Sequence, residues 1–143
     1  MKLLFVCTGN TCRSPMAEAL MRRKLQERAL TDWQVMSAGL AADGSPAAQY
    51  AVEALAERDL DLTRHRSRSL TRALCEEADR IAVMTPDQAV LLGMLFDVPQ
   101  EKITVLGGGI PDPYGGDIET YRRTRDGMDK ALDALLPPAG ETT

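Results

Sequence analysis

Short unbroken apolar runs alternate along this chain with stretches that carry the three-to-four-residue spacing of amphipathic helices. Leu3-Leu4-Phe5-Val6 is an apolar run containing Phe and Val and reads as a buried strand. Ser14-Pro15, followed by Met16, Ala17, Glu18, Ala19 and Leu20, starts a helix that runs to about Ala29. Trp33 to Ala38 alternates in the strand manner and stops at Gly39. After a loop rich in Ala, Gly and Asp, Ser45-Pro46 offers an N-cap and a first-turn proline for a helix through Arg58, with Val52, Leu55 and Ala56 on one face. Ser69 or Thr71 caps the next helix, which turns Leu70, Leu74 and Ala78 inward, and Arg80 to Met84 reads as a third strand. Thr85-Pro86-Asp87-Gln88 has the form of a capping box with proline at the first helical position, opening a helix to about Phe96. Ile103 to Leu106 is the fourth strand, and Gly107-Gly108-Gly109 releases the chain into a long loop. Asp117 caps a final helix carrying Ile118, Tyr121, Met128, Leu132 and Leu135. Pro137-Pro138 ends the fold, so residues 1–137 are expected to form one domain and 138–143 a flexible tail.

Strands separated by helices, without repeats or low-complexity linkers, define an α/β class: a four-stranded parallel doubly wound sheet with helices on both faces. Ligands of such sheets bind beyond the carboxyl ends of the strands. A length of 143 residues suits a single core. The net charge of −4 gives no basic field for nucleic acid, and Arg64, Arg66, Arg68 and Arg72 read as a solvated face. No apolar run approaches the roughly 20 residues that span a bilayer, and Leu3 to Val6 is too short for a signal-peptide core. A cytosolic monomer that binds no membrane is therefore expected. Three cysteines, an odd number, fit reduced thiols there better than a disulfide framework.

Chemistry concentrates where the first strand meets the first helix. Cys7-Thr8-Gly9-Asn10-Thr11-Cys12-Arg13-Ser14 places a thiol and an arginine at the two ends of a glycine-bearing loop. Unpaired N–H groups and the positive end of the helix dipole converge at such a junction and favour an anion. The same groups favour the thiolate of Cys7, the form that acts as a nucleophile. Arg13 offers a planar fork for two phosphoryl oxygens, Ser14 a hydroxyl for the sulfur, and Gly9 the freedom to turn the amides inward. No Gly-Lys-Ser/Thr follows the glycine, which excludes a nucleotide P-loop. The loop after the fourth strand should emerge at the same end of the sheet. It contains Asp112 between Pro111 and Pro113, a stiffened carboxyl suited to general-acid work.

In order and over nearly the whole chain, Cys7 to Arg13, the run Ser14-Pro15-Met16-Ala17-Glu18, Ser37-Ala38-Gly39 and Asp112-Pro113-Tyr114 resemble the low-molecular-weight protein tyrosine phosphatases. In that family the thiolate attacks phosphorus, the aspartic acid protonates the leaving group, and the resulting carboxylate activates water to hydrolyse the phosphocysteine. The resemblance assigns these roles to Cys7 and Asp112, with Arg13 binding phosphoryl oxygens. It makes Thr8, Gly9, Asn10, Thr11, Cys12, Ser14 and Tyr114 the rest of the phosphate- and substrate-binding set. Asn10 and His65 match the family's pair that holds the loop in a strained shape, with Ser37 in the same supporting shell. On its arginine-rich surroundings alone, His65 reads as an exposed surface residue.

Within the family, tyrosine-directed members carry Ile or Leu at the position of Thr11, and members acting on phosphoarginine carry Thr. A hydroxyl at the pocket wall can bond a guanidinium whose donors a methyl group would leave unpaired. The stretch from Asp112 to Ile118 resembles the protein-arginine phosphatase branch, with Gly115 where tyrosine phosphatases usually have a second aromatic. Phosphoarginine in proteins is thus the expected substrate and phosphotyrosine the alternative. Two other classes remain open. A thioredoxin-coupled arsenate reductase needs two further cysteines on a mobile segment, whereas Cys75 falls in a predicted helix as a structural thiol. A cysteine phosphocarrier module needs neither Arg13 nor Asp112. The resemblance also implies a reversible Cys7–Cys12 disulfide as a redox switch; that Cys12 only fills space beneath the loop is equally open. The single His lacks Cys or carboxylate neighbours at ligand spacing, so no metal or other cofactor is expected.

Overall fold

Leu3 to Cys7 are all buried, the signature of a strand covered on both of its faces. The computed structural model describes residues 1–138. In chain order its elements are β1 (Lys2–Cys7), α1 (Arg13–Glu27), β2 (Gln34–Gly39), α2 (Gln49–Ala56), α3 (Arg72–Glu77), β3 (Arg80–Val83), α4 (Pro86–Phe96), β4 (Ile103–Val105) and α5 (Ile118–Leu132). The strands make one sheet in the order β2-β1-β3-β4, and every neighbouring pair is parallel. This is the doubly wound arrangement the alternation predicts.

Period-two alternation along β1 divides the core. Leu3, Phe5 and Cys7 face a cluster with Met16, Leu20 and Met21 of α1 and with Met128 and Leu132 of α5. Leu4 and Val6 face a second cluster with Ile81 and Val83 of β3, Cys75 of α3 and Leu92 of α4. Burying each large side chain contributes about 1.5–3 kcal/mol before chain entropy is counted, so β1 is fixed from both sides. A fixed β1 holds Cys7, its last residue, in place. Among the described residues no helix is long and apolar enough to cross a membrane.

Helix starts follow the capping signals at α3, α4 and α5 but not at α2, nor at α1, where Ser14-Pro15 lie inside the first turn. Thr85 and Gln88 form the reciprocal capping box, and the Asp117 carboxylate accepts from Thr120 N at 2.9 Å. Thr71, not Ser69, caps α3, through a bond from Leu74 N at 3.1 Å. Ser45-Pro46 does not open α2, which starts at Gln49. Pro46 instead bridges antiparallel to Arg66, and Ser45 O accepts from Ser67 N at 2.8 Å, so tertiary pairing overrides the local signal. Ala51, Ala54 and Leu55 form the buried face of α2, and Ala56 is exposed. β3 and β4 each end one residue earlier than their apolar runs suggest, and Leu106 enters a 3-10 turn. Of the expected tail, only Pro138 lies among the described residues.

Candidate active site

β1 delivers Cys7 and α1 begins at Arg13, leaving residues 8–12 to turn between them. Cys12, the N-cap of α1, makes no side-chain capping bond, and the first turn carries no acid. The leading amides and the positive dipole end are thus left to whatever lies in front of the loop.

The direction of those amides follows from where the carbonyls go. Cys7 O accepts from Leu40 N, Thr8 O from Ala41 N and Thr11 O from Ala48 N, at 3.0, 2.8 and 2.9 Å. His65 Nε2 donates to Asn10 O at 2.7 Å. In a trans peptide the carbonyl of one residue and the N–H of the next point opposite ways, and the described chain has no cis bond. Anchoring these carbonyls outward therefore turns the N–H groups of Thr8, Gly9, Thr11 and Cys12 inward. The amide of Asn10 donates to Cys7 Sγ at 3.3 Å. Gly39, at the end of β2, permits this close approach: a Cβ there would lie 2.8 Å from Thr8 O and 2.9 Å from Asn10 Cβ.

Asn10 is the fully buried hub of the loop and adopts φ +56°, a conformation asparagine tolerates better than most residues. Its Nδ2 donates to Ser14 Oγ at 2.8 Å and to Ser37 Oγ at 3.0 Å, while its Oδ1 accepts from Arg68 N at 3.0 Å. Ser14 Oγ also lies 2.9 Å from Cys7 Sγ. Either atom can donate in that contact, and when Cys7 reacts as a thiolate the Ser14 hydroxyl must be the donor. The Ser14 hydroxyl and the Asn10 amide thus both meet Sγ.

Arg13 is buried and donates through Nη1 to Ile110 O at 2.9 Å, with Nη2 3.7 Å from Asp112 Oδ2. Ile110 N in turn donates to Met84 O at 2.7 Å, which ties the loop after β4 to the end of β3. In that loop Pro113 is buried, Asp112 Oδ1 accepts from Tyr114 N at 3.0 Å, and the Tyr114 side chain stands 76% exposed at the rim. Cys7, Thr8, Gly9, Thr11, Cys12, Arg13, Asp112 and Tyr114 line one cleft of about 210 Å³, room for a phosphoryl group and part of its carrier.

The candidate catalytic, binding and supporting residues named from the sequence lie in this cleft or directly behind it, and Cys75 lies apart from them. His65 is half-buried and bonded to the loop, which corrects the surface reading its neighbours suggest. The four arginines are exposed, as a solvated face requires, but Arg68 and Arg72 also make contacts. Arg68 bonds Asn10 through its amide and Ser37 O through Nε at 3.0 Å, while Arg72 pairs with Asp97 at 3.5 Å. Cys75 sits in α3, on the opposite side of the sheet from the core cluster that contains Cys7 and Cys12, and burial pushes its thiol pKa up. Burial also raises the Cys12 thiol, whose Sγ lies 3.4 Å from the Tyr121 hydroxyl. Sequence reasoning overlooked Arg68, Gln88 and Tyr121 as neighbours of the loop, and no local pattern marks them. Gln88, read only as a cap, reaches Thr8 Oγ1 at 3.2 Å.

A cysteine sulfur met by a backbone amide and a hydroxyl, with an arginine and an opposed carboxyl at the ends of parallel strands, is suited to cysteine-dependent chemistry on an oxyanion. The model of the low molecular weight phosphotyrosine protein phosphatase family matches residues 2–142, and the chain belongs to that family. It is 40% identical over 143 residues to a protein-arginine-phosphatase of Bacillus subtilis strain 168, with 94% of each chain covered. Among solved structures, the YwlE arginine phosphatase, as a C7S mutant with phosphorylated active site serine, superposes with a TM-score of 0.87 at 39% identity, over 94% of this chain and 93% of that one. An arsenate reductase of Staphylococcus xylosus is 32% identical over 133 residues, 92% of each chain.

Proposed function

We propose that this protein is a phosphatase that hydrolyses phosphoarginine in proteins through a phosphocysteine intermediate. The convergence of Ser14 Oγ and Asn10 N on Cys7 Sγ carries the reading, because those donors serve a sulfur that must be both nucleophile and leaving group. The Cys7 thiolate attacks phosphorus while the P–N bond breaks, and Asp112 gives its proton to the departing guanidino nitrogen. Arg13 and the inward amides hold the three equatorial oxygens as their charge shifts. The Asp112 carboxylate then takes a proton from water, the water oxygen attacks phosphorus, and the S–P bond breaks to release inorganic phosphate and the thiolate. The solved relative with a phosphorylated serine supports covalent transfer to the residue at this place in the loop.

Thr11, half-buried on the cleft wall, supports arginine over tyrosine: its hydroxyl accepts from a guanidinium, which an aliphatic side chain cannot do. Among the described residues that line the cleft, Tyr114 is the one aromatic, and Gly115 follows it at φ +82°. The reductase alternative would need Cys75 to reach Cys7 across the sheet, which argues against it. A free thiol nucleophile fits the reducing cytosol.

The test compares kcat/KM on phosphoarginine and phosphotyrosine peptides of matched sequence, for wild type and Thr11→Ile, under reducing conditions. A wild-type preference for phosphoarginine that reverses in the variant is expected. Preference for phosphotyrosine in the wild type would make the chain a tyrosine phosphatase with a variant loop.

A further inference from the structure

Gln88 is 3% exposed, and its neighbours dictate which way its amide faces. The Gln88 Oε1 atom accepts from Met84 N at 2.8 Å and from Thr85 N at 3.2 Å. Both partners are donors, so the oxygen must lie on that side and the NH2 group on the other. Nε2 then lies 3.2 Å from Thr8 Oγ1. An amide NH2 cannot accept, so the Thr8 oxygen is the acceptor and its proton is free to point elsewhere. Thr8 lines the cleft with Cys7 and Arg13. Among the described residues its hydroxyl has no other hydrogen-bond partner.

Taking the cleft to be a phosphatase site, we propose that Gln88 is a positioning residue: by donating to Thr8 Oγ1 it turns the Thr8 hydroxyl proton into the cleft, as a donor to the phosphoryl group over Cys7. A guanidinium is itself all donors and has no use for that proton, whereas a phosphoryl oxygen accepts it. Because Gln88 is also the fourth member of the Thr85 capping box, the start of α4 is braced against the phosphate loop. The donor is thus held ready before charge builds up on the oxygens. It acts on the phosphoryl group, so its contribution is the same whichever leaving group is attached.

Calorimetric titration with inorganic phosphate tests the pair without requiring turnover. The proteins are wild type, Thr8→Val, Thr8→Ser, Gln88→Glu and the Thr8→Val/Gln88→Glu double variant, each checked for a cooperative thermal transition. Thr8→Val removes the hydroxyl at constant shape and should weaken phosphate binding about tenfold, the effect of one hydrogen bond to a charged group; Thr8→Ser should recover most of it. Gln88→Glu keeps an acceptor for Met84 N and Thr85 N, and keeps the capping box, but draws the Thr8 proton to itself. It should weaken binding at least as much, and by clearly less once Thr8 is already Val. Wild-type affinity in Thr8→Val, or losses that simply multiply in the double variant, would overturn the proposal. So would a kcat/KM loss in Thr8→Val confined to one of the two phosphopeptides. Absence of wild-type turnover, with the phosphate affinities as expected, would instead support the oriented donor and sink the phosphatase reading.

Discussion

Removing the Asn10 side chain should cost more stability than any other polar truncation in the loop, and two substitutions separate the causes. Both Asn10→Gly and Asn10→Ala delete the bonds to Ser14 Oγ, Ser37 Oγ and Arg68 N. At a net contribution of about 1 kcal/mol each, the three bonds predict a loss of about 3 kcal/mol. The Arg68 amide also loses its buried acceptor, which pushes the figure upward rather than down. Alanine must in addition occupy the left-handed region at φ +56°, which costs it about 1 kcal/mol more and glycine almost nothing. The expected order is wild type, then Gly about 3 kcal/mol lower, then Ala about 4 kcal/mol lower. Urea unfolding at neutral pH in reductant measures both differences, and phosphate titration of the folded variants reads the loop itself. If both variants unfold within about 0.5 kcal/mol of wild type, the ordinary scatter of surface changes, Asn10 is not the hub. If Gly is less stable than Ala, the backbone argument fails even where the bond count holds.

Asp112→Ala should lower kcat by about a hundredfold or more on a poor leaving group and far less on an activated aryl phosphate, because only the former needs a proton; an equal loss on both would remove the general acid. Hydrogen bonds from Arg122 and then Arg125 hold the Glu57 carboxyl down at about 2, against an ordinary 4.5. A depressed carboxyl stabilises the fold above its unfolded value and loses that contribution as pH falls through the folded one. The thermal midpoint should therefore drop between about pH 4.5 and pH 2 more steeply in wild type than in Glu57→Gln, and parallel profiles would refute the ion-pair account. Burial raises the thiols of Cys12 and Cys75, so iodoacetamide at neutral pH should alkylate Cys7 first. Peptide mapping that finds Cys12 modified as fast would contradict the assignment of the donors to Cys7.

The sheet was legible because its signals are local. Leu3 to Val6 needs no partner to read as a buried strand, and Thr85 to Gln88 caps α4 within four residues of chain. Ser45-Pro46 misled for the opposite reason. Its cap and proline compete with a bridge to Arg66 and a bond from Ser67, and residues twenty positions away won. Arg68 shows the same limit: composition rightly leaves the four arginines exposed, but it does not reveal that Arg68 also bonds Asn10 through its backbone amide and Ser37 O through Nε.

In the site, the sequence names side chains but cannot orient the backbone that does most of the binding. Cys7, Arg13, Ser14 and Asp112 are visible as residue types at informative spacing. The inward amides are not, because each is aimed by the carbonyl before it, and those carbonyls are claimed from 40–48 and by His65, 55 residues away. Gly39 belongs to the same arrangement, since a methyl group there would push β2 off Thr8 and Asn10 and release the carbonyls it helps to hold. The loop sequence therefore becomes an anion cradle only when β2, the 40–48 segment and the His65 turn are packed behind it. A peptide carrying residues 7–14 alone would keep the thiol and the guanidinium but lose the directed donors.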